Sequence, residues 1–388
     1  MFDCIVAGAG VAGCVAAREL AEAGKNVLIL EKREHIGGNT YDEKDEYGVL
    51  VHRYGPHVFH TEKETVFKYL SCFTDWYRFE HQVVANVYGK LLPIPFNLNT
   101  LFMVYDKEKA KRLEEKLKAR YPIGTKVPIL KLKEQEDAEL IELADSVYEH
   151  VFLHYTMKQW GKKPEEISPK VTARVPVLVD YDNRYFQEPY QGVPKDGFTV
   201  LFENMLRHDN IQVHTGIDAK EILSFREMPE GNVIYYEEKL FAGNVVYTGP
   251  VDALFDWKYG ELPYRSLDFV FEHFEKDDYQ GHSVVNYTVE EAFTRITEFK
   301  HLTGQKISGT TIVREYPRAY TSPEQIPYYC IDCPENQALY EKYRKEAEGF
   351  PRLHLLGRLA EYKYYNIDAM VERAITYCEK LTRKGNNL

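Results

Sequence analysis

The sequence predicts an α/β protein, in which a Rossmann-type nucleotide-binding domain carries a helical insertion and an antiparallel β-sheet substrate domain. Three observations predict it: a strand–glycine turn–helix–strand opening, a charged stretch with helical spacing, and a later series of alternating strands without helices between them. Phe2 to Ala7 reads as an apolar strand, Val11 to Ala23 as a helix ended by Gly24, and Asn26 to Leu30 as a second buried strand. This is a β–α–β unit with a right-handed crossover. Thr61-Glu-Lys-Glu64 reads as a capping box opening a helix to about Ser71. His81 to Tyr88 alternates as a strand that Gly89-Lys90 turns back. Lys107 to Tyr121 is charged and helical, and Glu139 to Tyr155 sets Ile141, Ala144, Tyr148, Val151, Phe152 and Tyr155 on one helical face.

Further strands are expected at Arg184 to Phe186, Ile211 to His214, Val233 to Tyr236 and Asn244 to Tyr247. Others are expected at Leu267 to Glu272, Ser283 to Tyr287, Phe293 to Glu298 and Thr310 to Arg314. The end returns to a strand at Leu353 to Leu356, a turn at Gly357-Arg358 and a helix from about Asp368. The predicted organisation is a nucleotide-binding unit in three parts (1–80, 201–260, 336–388). It is interrupted by a strand connection (81–96), the helical insertion (97–168), a mobile loop with sheet (169–200) and the antiparallel sheet (261–335).

At 388 residues the chain is long enough for two or three packed units, and 44% hydrophobic with 28% charged residues is ordinary for a globular enzyme. Thirty Tyr and twenty Phe supply either stacking platforms for a ring-bearing ligand or aromatic packing. A net charge of −11 without a basic stripe argues against nucleic acid or an anionic membrane as partner, though a few local arginines still allow an anionic small ligand. The start lacks a charged region followed by an apolar stretch and cleavage site, and no apolar run approaches the ~20 residues that span a bilayer. With six dispersed cysteines this reads as a cytoplasmic protein with reduced thiols. Cys330-Ile-Asp-Cys333 has no second pair or histidine cluster, so no metal site is expected.

Gly8-Ala-Gly10-Val-Ala12-Gly13 follows a strand directly and opens a helix. Gly8 permits the tight turn, Gly10 lets backbone N–H groups approach a pyrophosphate, and Gly13 allows close helix–strand packing. Glu31 ends the second strand, where a carboxylate accepts hydrogen bonds from a ribose. Beyond it, Lys32-Arg-Glu-His-Ile-Gly37-Gly38-Asn39 extends the fingerprint in a way that resembles FAD-binding proteins more than NAD-dependent dehydrogenases. Tyr247-Thr248-Gly249-Pro250 and Gly357-Arg358 resemble further elements of that group. The expected cofactor is FAD.

Nearly end to end, the segments GPHVFHT, YTMKQWG, ARVPV, DNRYF, YQGVP, VYTGP, YRSL, TRITEFKH, PYY and GRLAEYKYY closely resemble the UDP-galactopyranose mutase family. The resemblance implies a homodimeric enzyme that interconverts UDP-galactopyranose and UDP-galactofuranose with no net oxidation, supplying galactofuranose to surface glycans. It implies that Arg174 and Arg295 clamp the pyrophosphate, that Phe152 and Tyr155 flank the uracil, and that Trp160 lines the sugar side. Tyr185, Tyr329 and Tyr364 would donate hydroxyls, and His81 and Asn286 would contact substrate. Against the cofactor it places Gly8, Gly10, Ala12, Gly13, Glu31, Lys32, Gly38 and Asn39 from the fingerprint. It adds His57, Val58, Asp218, Ala219 and Arg358, then Tyr365, Asn366, Ile367 and Asp368.

The implied chemistry is attack of reduced FAD N5 on galactose C1, so activity requires a reductant such as NAD(P)H. The run Lys170 to Leu178 is the implied lid. Asn366 stands where many family members carry Asp, His81 where Asn is common, Cys330 where Pro is usual, and Val151 where some relatives carry an aromatic. An FAD-dependent oxidoreductase and a non-catalytic escort-type binding protein of the same fold are the rival readings.

Overall fold

The computed structural model describes residues 2–161 and 176–385. At its centre lies a five-stranded parallel sheet in the order Ile211–Thr215, Val27–Glu31, Cys4–Ala7, Asn244–Tyr247, Leu353–Leu355. Cys4–Ala7 and Val27–Glu31 are buried along their whole length, as expected for parallel strands covered on both faces. One cover is the helix Val11–Glu22, whose alanines and Cys14 allow a close approach to the final helix, Ile367–Gly385. Gly13 enables the same closeness toward the sheet: a Cβ there would lie 1.9 Å from the Gly8 carbonyl oxygen and 3.3 Å from Val6.

A seven-stranded sheet forms the second layer, in the order Tyr329–Cys330, Tyr264–Phe274, Thr310–Ala319, Arg295–Glu298, Val284–Tyr287, Val83–Val87, Lys90–Ile94. Its pairings are antiparallel except for Val284–Tyr287 on Val83–Val87, which run parallel. Against it packs a helical layer, three of whose helices start on side-chain caps. Asn97 and Thr100 form a reciprocal capping box, Asp106 accepts from Glu108 and Lys109, and Asp137 accepts from Glu139. The stripe Leu140, Leu143, Ala144 and Val147 passes into a π-helical turn, Tyr148–Leu153, which buries Val151 and Phe152 before the chain resumes as His154–Trp160. Such wide turns recur at functional sites because they re-aim side chains within a continuous helix.

Four expectations need correction. Arg184 to Phe186 is not a strand: Asp182 accepts both the Arg184 backbone N–H and its guanidinium, which turns the chain locally. Thr61 opens no helix. It belongs to the strand Phe59–Thr61, its hydroxyl donates to Asp368, and the helix Glu64–Ser71 starts without a side-chain cap. Ile141 lies off the buried stripe, which follows Leu140 and Leu143 instead. Of the run 170–178, Pro176–Leu178 lies in a buried strand paired with Thr125–Pro128 and Phe96–Asn97, so it is no part of a lid; residues 170–175 lie outside the described residues. Among the described residues no helix is long and apolar enough to cross a membrane.

The packing of Gly13 generates a test. Gly13→Ala is expected to lower unfolding free energy in urea by ~1–3 kcal/mol, because a backbone carbonyl cannot yield to a new methyl group. Unchanged stability would show that the helix can back away from the sheet.

Candidate active site

Ligands of open α/β sheets bind outside the carboxyl ends of the strands, and a cavity lies there, bordered by Ala7, Leu30, Glu31 and Tyr247. Gly8, at φ +112°, faces Thr248, whose hydroxyl donates to the Ala7 carbonyl; a Cβ on Gly8 would lie 2.1 Å from that hydroxyl oxygen. Gly38, at φ +56°, closes onto Gly10, and no side chain could be added there without meeting its Cα. The helix Val11–Glu22 begins at Gly10 with no side-chain cap and no acidic residue in its first turn, which leaves its first N–H groups and their partial positive charge for a ligand. Glu31 is buried and shaped into the loop, accepting the Ala9 N–H at 2.7 Å and the Arg33 N–H at 2.9 Å. Arg33 also lines the cavity. One Nη donates to Asn39, while the other, Nη1, is buried with no partner among the described residues. An orphaned guanidinium nitrogen, uncapped N–H groups and a side-chain-free cradle fit the diphosphate of a dinucleotide cofactor.

Most expected cofactor residues border this cavity: Gly8, Gly10 and Ala12, then Glu31, Lys32, Gly38 and Asn39. So do His57, Asp218, Ala219 and Arg358, and at the start of the last helix Tyr365, Asn366 and Ile367. Gly13 instead packs beneath the loop, Val58 borders the neighbouring cavity, and Asp368 is engaged with Thr61. Arg33, Lys220 and Trp257 join the lining unforeseen.

The second cavity, of about 810 Å³, is within the size range of small-molecule pockets. His57, Arg358, Tyr365, Asn366 and Ile367 border both cavities, so the two meet there. Its walls include Phe152, Tyr155, Tyr185, Asn286, Arg295, Tyr329, Tyr364 and His81, each an expected substrate residue. Of the remaining two, Arg174 lies outside the described residues, and the Trp160 side chain is likewise not described.

Arg295 is held from behind. Its Nε donates at 2.6 Å to Glu315, which is 1% exposed and sits directly opposite on the neighbouring strand. Burial acts against the guanidinium charge, and the Glu315 carboxylate more than offsets it, raising the Arg295 pKa. The two outer nitrogens of the fork remain for the cavity. Lys158 ties the helix of Tyr155 to the hairpin that carries Asn286 and Arg295, donating to the carbonyls of Tyr287 (2.6 Å), Glu291 (2.9 Å) and Phe293 (3.4 Å). Arg265 closes the same helix from the sheet side through the Gln159 carbonyl at 3.0 Å. The Arg358 guanidinium donates to the Tyr365 carbonyl and lies 4.6 Å from the Tyr364 ring centroid.

His57 and His81 are neutral. Burial lowers the pKa of His57 and of His81 to about 3, with nearby cations adding to the effect. Behind His57, His52 is likewise lowered to about 3 by burial, and its Nδ1 accepts the His57 backbone N–H at 3.0 Å, which places the His52 proton on Nε2. Two acceptor-capable atoms on the cavity wall, His81 Nδ1 and Asn286 Oδ1, are buried without a partner among the described residues, as expected of groups that await a polar ligand. Outside both cavities, Asp278, Glu298 and His301 are close enough to share an ion. Glu298, however, is already taken by the N–H groups of Tyr279 and Gln280 and the Thr310 hydroxyl.

Comparison with known proteins agrees with this geometry. The family described as UDP-galactopyranose mutase matches residues 150–364, and the NAD(P)-binding Rossmann-like domain matches 6–73. The chain is 35% identical to a dTDP-fucopyranose mutase of Escherichia coli over 100% of both chains. It is 36% identical to a probable UDP-galactopyranose mutase of Klebsiella pneumoniae over 96% of this chain and 92% of that one. A crystal structure of reduced UDP-galactopyranose mutase superimposes with a TM-score of 0.73 at 15% identity, covering 98% of this chain and 94% of that one, a likeness of fold.

Two outcomes test the electrostatics of the site. Glu315→Ala is expected to cost ~1–3 kcal/mol in urea unfolding, since it removes the fixed counter-charge of a partly buried guanidinium; no measurable loss would mean that water already compensates that charge. The neutral histidines set a pH dependence. Unfolding frees His52 and His81 to take up protons at about 6.5, whereas the folded protein holds them off down to about 3. Their contribution is therefore complete above the higher value and is lost as pH falls toward the lower, by ~1.4 kcal/mol per pH unit for each. His52→Gln should flatten the stability–pH slope between these limits by one proton; an unchanged slope contradicts the assignment.

Proposed function

The chain belongs to the UDP-galactopyranose mutase family of isomerases, and from that premise we propose that it interconverts UDP-galactopyranose and UDP-galactofuranose with no net oxidation. The observation that carries the reading is the Arg295–Glu315 pair, whose buried carboxylate presents a fixed cation in a cavity that opens onto the nucleotide-binding cleft at His57 and Arg358. Flavoenzymes of this fold supply the cofactor class, and FAD is the form that the fingerprint fits. Reduced, and bound in the cleft, it supplies a nucleophilic nitrogen for the anomeric carbon.

The protein's own residues do the rest. Arg295 grips the diphosphate and stabilises the negative charge that gathers there as the sugar's C1–O bond breaks. Arg174, in the motif ARVPV, is the second cation of that clamp. Phe152 and Tyr155 stack on the base, worth ~1–3 kcal/mol. The Tyr185, Tyr329 and Tyr364 hydroxyls and the Asn286 amide bond the sugar and phosphates, and neutral His57 closes the junction without adding charge. Asn366, an amide at that junction, holds no charge and moves no proton. The wider reading is a cytoplasmic homodimer, reduced by NAD(P)H or a similar donor, whose product feeds surface glycans.

The reading is tested by incubating dithionite-reduced protein with UDP-galactofuranose and following UDP-galactopyranose by chromatography, with dTDP-fucopyranose run beside it because of the E. coli relative. Conversion of the galactose pair, absent from oxidised protein, is expected. Arg295→Ala and Arg174→Ala should each lower kcat/KM by about 10²-fold or more while flavin absorbance is retained. Equal rates in both redox states, or full activity in either variant, contradicts the proposal. Conversion of the fucose substrate alone would reassign the sugar.

A further inference from the structure

The segment Gly55-Pro-His57-Val-Phe-His60-Thr61 contains a second histidine that the proposed function leaves without work. His60 sits in the strand Phe59–Thr61, borders the same cavity as Arg295 and Tyr364, and stacks on Phe186 with ring centroids 3.6 Å apart at 11°. Its Nδ1 lies 3.3 Å from Glu188 Oε1. Glu188 Oε2 is buried with no partner among the described residues, so His60 is the main counterpart of this carboxylate. The contact with His60 pulls the Glu188 pKa down to about 2, which keeps it ionised at neutral pH. An ionised carboxylate accepts only, so His60 donates through Nδ1, and as the neutral imidazole it carries its lone pair on Nε2. Nε2 has no bond partner among the described residues.

Ring contraction makes a demand on such a group. The C1–O5 bond breaks and a C1–O4 bond forms. O4 begins as a hydroxyl and ends as ring ether, while O5 begins as ether and ends as hydroxyl. One proton must therefore pass from O4 to O5, with no change of oxidation state. Around the cavity Arg295 and Arg358 are permanent cations and Asn366 is an amide. Burial keeps His57 and His81 neutral, and His57 Nδ1 is already bonded to the Gly55 carbonyl. Burial also raises Tyr155 and Tyr329. Unlike His57 and His81, His60 has a carboxylate behind it to balance a positive imidazole. We propose that His60, oriented by Glu188, takes the proton from the sugar O4 hydroxyl and returns it to O5. The inference rests on the isomerase reading given above.

Oxygen labelling separates the two. In reduced enzyme given UDP-galactose with 18O in the sugar–phosphate bridge, breaking and re-forming the C1–O bond scrambles label into the non-bridging β-phosphate positions, and this needs no proton transfer between O4 and O5. His60→Asn is expected to slow ring interconversion by about 10²-fold or more, while scrambling and UDP affinity, the latter measured by calorimetry on oxidised protein, stay within about threefold of wild type. Glu188→Gln, which removes the balancing charge but not an acceptor, should slow interconversion by a factor between about 10 and 10⁴. Free imidazole should partly restore His60→Ala. A His60→Asn enzyme that interconverts rings at near wild-type rate overturns the proposal; so does one that loses scrambling or UDP binding in parallel, since His60 would then position the nucleotide. A wild-type enzyme that scrambles label without interconverting rings overturns the isomerase reading itself, and this inference with it.

Discussion

A carboxylate cannot stay charged inside a sheet without a counter-charge beside it, and this requirement organises the site. Arg295 and Glu315 face one another across adjacent antiparallel strands, so the register that pairs the backbones also pairs the charges. The carboxylate occupies the Nε edge of the guanidinium and leaves its outer edge for the cavity. The hairpin that ends in Arg295 is in turn fixed by Lys158, which reaches from the helix bearing Tyr155 to three carbonyls of that hairpin. One ion pair and one ammonium thus set the spacing between an aromatic wall and a cation, the two features needed to hold a base and a diphosphate.

Where the two cavities meet, charge is rationed. His57 and His52 are neutral and joined through a backbone N–H, so the junction has polar contacts without added positive charge beside Arg358. The local concentration of Arg295, Arg358 and Lys126 on the cavity wall contrasts with the net charge of −11 for the chain. An anionic ligand is thereby attracted to this cavity rather than to the surface at large. Glu188 and Glu315 are both set behind cationic or protonatable partners rather than in the cavity itself, which keeps carboxylates from repelling phosphate.

What the sequence disclosed follows how local each feature is. The glycine fingerprint, the strand before it and the carboxylate after it fall within 31 residues, and their spacing alone carries the geometry. Arg295 and the tyrosines were legible through motif resemblance, but their supports were not. Glu315 lies 20 residues beyond Arg295, Glu188 lies 128 beyond His60, and Lys158 reaches partners about 130 residues away. Only register and packing bring such pairs together. Glu315 stands one position past the strand expected at Thr310 to Arg314 and beside a second charged residue, so nothing local singled it out. Alternation misread Arg184 to Phe186 because Asp182 captures the local backbone, and helical spacing placed Ile141 on the wrong face because the buried stripe is defined by Leu140 and Leu143. Arg33 stood beside Lys32 in the fingerprint, yet only the cavity shows that one nitrogen of its guanidinium is left without a partner among the described residues.

The central claim is that a sheet-fixed cation receives the diphosphate at the mouth of the flavin cleft. A crystal structure of the flavin-loaded protein with UDP-galactose tests it most directly. The account predicts the diphosphate oxygens on the outer nitrogens of Arg295, Glu315 still on its Nε, and the anomeric carbon turned toward the junction at His57. A diphosphate bound elsewhere, or an Arg295 side chain swung away from Glu315 to reach it, would contradict the account.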